Sequence, residues 1–120
     1  MAIHSSPTLQ EEECIARCLA CQRACLETVE HCLDRGGRHA DPGHLSLLHN
    51  CADLCGTTAR VLISRSALAV RVCAVCSEAA TLCAESCERV ADDAELRRCA
   101  GVCHDCSDGC LWISRRKTAA

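Results

Sequence analysis

Small and apolar side chains recur along this chain at steps of three and four, the spacing of one face of an α-helix. Between Leu9 and Arg35 the recurring set is Cys14, Cys18, Cys21, Cys25 and Cys32, with steps of 4, 3, 4 and 7. After a break at Gly36-Gly37 and Asp41-Pro42-Gly43, Cys51 and Cys55 resume it with a step of 4. Cys73, Cys76, Cys83 and Cys87 follow, and then Cys99, Cys103, Cys106 and Cys110. These are the a and d positions of a heptad, so one phase per helix turns every cysteine onto an inward seam. Thr28, His44, Leu48, Thr58, Leu62, Ser66, Ala69, Ala80, Leu96 and Ile113 take the remaining seam positions. Charged residues such as Glu11, Arg23, Glu27, Arg60, Glu78, Arg97 and Asp108 take the outward faces.

The breakers delimit four predicted helices, at about residues 9–35, 42–64, 67–91 and 93–115. Thr8 and Glu11 stand at capping-box spacing for the first, and Gly36 suits a left-handed residue after its last turn. Asp41 and Pro42 suit the N-cap and first position of the second. Ser66 is the expected cap of the third helix. Asp92, with Glu95 three residues on, is the expected cap of the fourth. Short links make sequential neighbours antiparallel. The expected fold class is therefore all-α: a single domain, 1–120, forming an antiparallel up-down-up-down four-helix bundle with a cysteine-lined core. Counting outward from the turns places Cys32, His44, Cys87 and Cys99 at one end and Cys25, Cys51, Ala80 and Cys106 near the middle. Leu62, Ala69 and Ile113 form an apolar plug near Cys14 at the far end.

Composition sharpens this picture. Of 120 residues 15 are cysteine, one is Trp, and none is Phe or Tyr, so small side chains must fill the core. The net charge is −3, with no basic block or aromatic platform suited to nucleic acid. No apolar run approaches the roughly 20 residues that span a bilayer. The first residues show no basic and apolar leader, which points to the cytoplasm, where thiols stay reduced. No set of side chains reads as a catalytic constellation, so an enzyme is not expected.

Four chemistries compete for a seam of thiols. Cysteine as a plain small hydrophobe explains one buried residue but not a whole seam, because Leu or Ile would bury more area. A disulfide scaffold does not suit helical i, i+4 neighbours, whose Cβ atoms are about 5–6 Å apart where a disulfide needs about 3.8 Å. Zinc–thiolate and iron–sulfur sites remain as alternatives. The pairs Cys18/Cys21, Cys73/Cys76 and Cys103/Cys106 have CxxC spacing, but they sit mid-helix and not in knuckles or wrapping loops. Cu(I) fits best: it is soft, takes low coordination numbers and accepts bridging thiolates, and one Cu⁺ per thiolate is neutral. The expected cargo is multiple Cu(I) ions, on the order of one per cysteine. His44 is the candidate gate at the Cys32/Cys99 end. His31 and His39 read as solvated residues near the turn. His4, His49 and His104 point outward or lie in the tail, and Trp112 reads as a subunit-contact residue.

The stretches Cys14-x3-Cys18-x2-Cys21-x3-Cys25, His31-Cys32-Leu33, Gly36 to His44 and Asn50-Cys51-Ala52-Asp53-Leu54-Cys55 resemble the bacterial copper storage proteins, in particular their cytosolic branch. The cysteine ladders of the third and fourth helices match as well. The resemblance implies a four-helix bundle that fills with Cu(I), a homotetramer, and ions entering at one end past His or Met residues. A small thiol or a copper chaperone is the expected copper donor. Met1 is the only methionine, so histidine must serve. The chain departs from the family pattern at Ala80, where another cysteine is expected. It also carries only two cysteines on the second helix, no histidine in Val70 to Val72, and Glu95 where a mouth histidine is common.

Overall fold

The computed structural model describes residues 7–90 and 92–116. They form α1 (Leu9–Arg35), α2 (Pro42–Ile63), α3 (Ala69–Val90) and α4 (Ala94–Arg116), with a 3-10 turn at Gly37–Ala40 between the first two. Each helix packs on the two beside it, with α1 against α2 and α4, and α3 against α2 and α4. The result is a four-helix bundle measuring 56 × 21 × 20 Å. No helix among the described residues is long and apolar enough to cross a membrane.

The local signals in the sequence explain most helix ends. Thr8 Oγ1 accepts from Glu11 N–H at 3.1 Å, and Glu11 Oε1 accepts from Thr8 N–H at 2.8 Å, a complete capping box. Asp41 accepts from His44 N–H at 3.2 Å to start α2. Gly36 has the expected positive φ of 69°, but its ψ of −164° lies outside the left-handed helical well, in a region open essentially only to glycine.

Three boundaries differ from expectation. α2 ends at Ile63 in a Schellman turn built without glycine: Arg65 takes φ 56°, Ser66 N–H donates to Val61 O at 2.9 Å, and Arg65 N–H to Leu62 O at 3.2 Å. That turn displaces the start of α3 from residue 67 to Ala69, leaving Ser66 and Ala69 half-buried. Asp93, not Asp92, caps α4, with Oδ1 accepting from Leu96 N–H at 2.8 Å. Asp92 instead pairs with Arg97 on the surface. Ala91, the expected end of α3, lies outside the described residues.

Small residues flank the seam and let the helices approach: Ala24, Ala52, Ala59, Ala84 and Ala100 are all buried. Between α3 and α4, Ser77, Thr81 and Ser107 satisfy one another, with Ser77 and Ser107 hydroxyls 2.9 Å apart and Thr81 2.8 Å from Ser107. Glu11, expected outside, is buried at the far end because Arg65 and Arg116 reach over it. Burial works against its charge, but hydrogen bonds from Arg116, Thr8 N–H and Arg65 outweigh that and bring its pKa down to about 2.

Candidate metal centre

All fifteen cysteines are buried and carry free thiols. The heptad phase therefore holds along every helix. Sulfur meets sulfur across the bundle: Cys14–Cys110, Cys18–Cys110, Cys21–Cys51, Cys21–Cys103 and Cys55–Cys106 are each 3.7 Å apart. Cys18–Cys106 is 3.8 Å, and Cys25 lies 3.9 Å from both Cys83 and Cys103. Cys76 stands 3.9 Å from Cys55.

These contacts resolve into overlapping groups of thiols. From the far end they are Cys14/Cys73/Cys110, then Cys18/Cys76/Cys106/Cys110, then Cys21/Cys55/Cys106, then Cys21/Cys25/Cys51/Cys103, then Cys25/Cys83/Cys99/Cys103, with all sulfurs of a group within 4.8 Å of one another. A metal ion about 2.3 Å from each sulfur places trigonal ligands about 4.0 Å apart and opposed ligands about 4.6 Å apart. The thiols thus stand at bridging distance already. Successive groups share Cys110, Cys106, Cys21, and finally Cys25 with Cys103, so the thiols of these groups form one ladder.

The expected middle level needs one correction. Cys25 and Cys51 share their level with Cys103, while Cys106 sits one layer nearer the far end, with Cys18 and Cys55. The link between α1 and α2 contains a full 3-10 turn, whereas the link into α4 is short. Equal counts from the two turns therefore do not give equal heights. Ala80 is buried on the seam, as expected. Leu62 and Ile113 close the far end, but Leu48 and Leu96 are just as buried near the opposite one. Both ends carry aliphatic side chains.

At that opposite end Cys32 Sγ lies 3.4 Å from His44 Nε2, and His44 Nδ1 lies 2.8 Å from Ser86 Oγ. His44 is 3% exposed, so it is not a solvated residue of the first turn. Burial lowers its pKa, against the pull of Cys99, and keeps the ring neutral and able to ligate. Burial likewise pushes the Cys32 thiol up to about 11, assisted by the charges of Asp93, Cys99 and Glu95. Ser86 escaped the sequence reading because a serine beside a seam cysteine has no distinctive spacing. It fixes which face of His44 meets Cys32. A cleft of about 770 Å³, lined by Arg38, Asp41, His44, Ser86 and Arg89 among others, opens above this pair.

Within the ladder the thiols polarise one another. The neighbouring thiols of Cys103, Cys25, Cys83 and Cys87 pull Cys99 down despite its burial. Its partner Cys25 is pushed up by Cys103, Cys21, Cys51, Cys83 and burial. Thr28 Oγ1, fully buried on the seam between Cys25 and Cys32, has no hydrogen-bond partner among the described residues. Thiols are weak acceptors, and a thiolate is a strong one. The orphan hydroxyl thus suits a core whose sulfurs become charged on loading.

Of the other histidines, His39 is buried and His31 half-buried, both against Asp93, so neither is a free loop side chain. His49 is exposed, and His104 pairs with Glu88 on the surface. His4 lies outside the described residues. Trp112 is half exposed and stacks under Arg116.

Comparison with known proteins settles the family. The family described as copper storage protein matches residues 8–115. The chain belongs to the copper storage protein family. It is 28% identical over 99 residues to the cysteine-rich protein YhjQ of Bacillus subtilis, covering 82% of this chain and 91% of that one. Its fold matches the Nmul_A1745 protein of Nitrosospira multiformis with a TM-score of 0.83 and 36% identity, over 88% of this chain and 94% of that one. The Cu(I)-bound copper storage protein BsCsp3 gives a TM-score of 0.82 and 27% identity, over 88% and 98% of the two chains. Membership of this family accounts for a core built from thiols where aliphatic packing would be more stabilising.

Proposed function

We infer that this chain stores Cu(I) as its cargo, holding many ions through the thiolates of Cys14, Cys18, Cys21, Cys25, Cys32, Cys51, Cys55, Cys73, Cys76, Cys83, Cys87, Cys99, Cys103, Cys106 and Cys110. The observation that carries this reading is the sharing of sulfurs between successive groups. A shared sulfur bridges two ions, and neutral one-to-one Cu⁺–thiolate filling keeps a buried ladder free of net charge. Zinc would leave two negative charges on each closed four-thiolate site, a cost repeated down the core. An iron–sulfur cluster needs room for iron and sulfide between thiols that already touch at 3.7 Å.

His44 gates the end at Cys32, held by Ser86. The cleft above it is where a copper donor, a small thiol or a chaperone, meets the chain. Storage of this kind involves no turnover. Fifteen free thiols fit a reducing compartment, which supports a cytoplasmic location. Leu19, Leu26 and Leu33 form an exposed heptad stripe along α1, and Leu68, just before α3, forms another with Val75 and Leu82 on it. Such stripes suit packing between copies, in line with a homotetramer. The test is native mass spectrometry of the chain purified without air from copper-fed cells. The reading expects a protein carrying many copper ions and no colour; a brown, iron-containing protein or a zinc-filled one overturns it.

A further inference from the structure

A second constellation, without sulfur, stands beside the thiol ladder at the end where α1 finishes. His31 Nε2 lies 3.2 Å and His39 Nε2 2.7 Å from one and the same atom, Oδ2 of Asp93. The two rings meet edge-on with centroids 5.7 Å apart. Asp93 Oδ1 accepts from Leu96 N–H at 2.8 Å, which fixes the carboxylate at the start of α4. Three segments converge here: His31 from α1, His39 from the 3-10 turn, and Asp93 from the link into α4. The side chains are sheltered but reachable, His39 being 11% exposed, Asp93 18% and His31 26%.

We propose that His31, His39 and Asp93 form a site for one divalent cation of the zinc type, distinct from the thiol core. Imidazole and carboxylate ligands suit borderline divalent ions, whereas thiolates select Cu(I). Ligand atoms about 2.0–2.2 Å from one zinc ion stand about 3.3 Å apart in a tetrahedron. The two nitrogens already sit near that distance from the carboxylate oxygen, and water takes the remaining position. Ligation through Nε2 leaves each neutral ring with its hydrogen on Nδ1. The backbone hydrogen bond on Oδ1 is the outer support that orients a ligating carboxylate. Arg35, with its guanidinium 3.9 Å from Oδ2 and its side chain 54% exposed, is free to turn into solvent when a cation binds. The bound ion ties α1, the turn and α4 together. The site does not depend on the storage reading.

The test uses the full chain loaded with Cu(I) without air, so that the thiols are engaged, and then titrated with Co²⁺. Copper uptake is measured first and separately, so failure of storage shows there. The expected result is one Co²⁺ per chain, with visible d–d bands, no thiolate-to-cobalt charge transfer in the near ultraviolet, and displacement by Zn²⁺. H31A and H39A should each weaken Co²⁺ binding at least about tenfold, the scale of losing one member of such a site, with copper uptake and helical content unchanged. Because Asp93 also caps α4, the histidine variants carry the test. No bound Co²⁺, a thiolate charge-transfer band, or unchanged affinity in H39A overturns the proposal.

Discussion

Replacing Cys103 with serine probes the shared sulfurs directly. Cys103 belongs to two groups, with Cys21, Cys25 and Cys51 on one side and Cys25, Cys83 and Cys99 on the other. Its sulfur lies 3.7 Å from that of Cys21 and 3.9 Å from that of Cys25. Serine keeps the shape but offers a hard hydroxyl that Cu(I) does not favour, so both groups lose a ligand. Capacity should fall by about two ions from a total on the order of fifteen, on the count of one ion per thiolate. Cys32, which meets His44 at the end of the ladder, should cost about one when changed to serine. A hydroxyl buried among weakly accepting thiols costs about 1–3 kcal/mol in the empty protein. Its option of bonding back to a carbonyl one turn earlier places Cys103→Ser at the low end of that range. The assay is Cu(I) titration without air, following thiolate-to-copper absorption until a chromophoric chelator begins to capture the excess, beside thermal unfolding of the empty variants. Equal losses of capacity for Cys103→Ser and Cys32→Ser, or no loss for either, would refute the reasoning from shared ligands.

His44→Ala should slow copper uptake and removal with little change in capacity, since His44 meets Cys32 at the end of the ladder; stopped-flow transfer to a chelator at unchanged rates rejects the gate. Thr28→Val removes the orphan hydroxyl at nearly constant volume and should stabilise the empty bundle by about 1 kcal/mol in urea unfolding; a destabilised variant counts against it. Glu11 has a folded pKa of about 2 against an ordinary value of 4.5, so its ion pairs stabilise the fold fully above pH 4.5 and fade as pH falls toward 2. Glu11→Gln should therefore cost at most about 3 kcal/mol at neutral pH and nearly nothing at pH 2, with a pH-independent difference as the contrary result.

The bundle and the ladder are legible in the sequence because one physical rule sets both. A 3.5-residue repeat of cysteine admits no other element, and it turns each thiol to the same axis. Caps with side-chain chemistry, Thr8 and Asp41, are legible for the same reason. What escaped depends on three-dimensional offsets. The Schellman turn at Arg65 uses a residue with no turn signature, so the sequence alone does not mark the start of α3 at Ala69. Asp92 stands at capping-box spacing from Glu95, but its neighbour Asp93 takes the cap by accepting from Leu96 N–H, and its other oxygen faces His31 and His39. The height of Cys106 depends on how the links set one helix against another, which spacing within a helix does not encode. Glu11 reads as a surface residue until Arg65 and Arg116, distant in sequence, fold over it.

The central claim is that the ladder is one continuous Cu(I) store. Titration of the fully reduced chain with Cu(I) in the absence of air, against a chromophoric chelator of known affinity, tests it most directly. The account predicts that the chelator stays unloaded until roughly a dozen or more ions have entered each chain, near one per cysteine. Saturation at one or two ions per chain would contradict it.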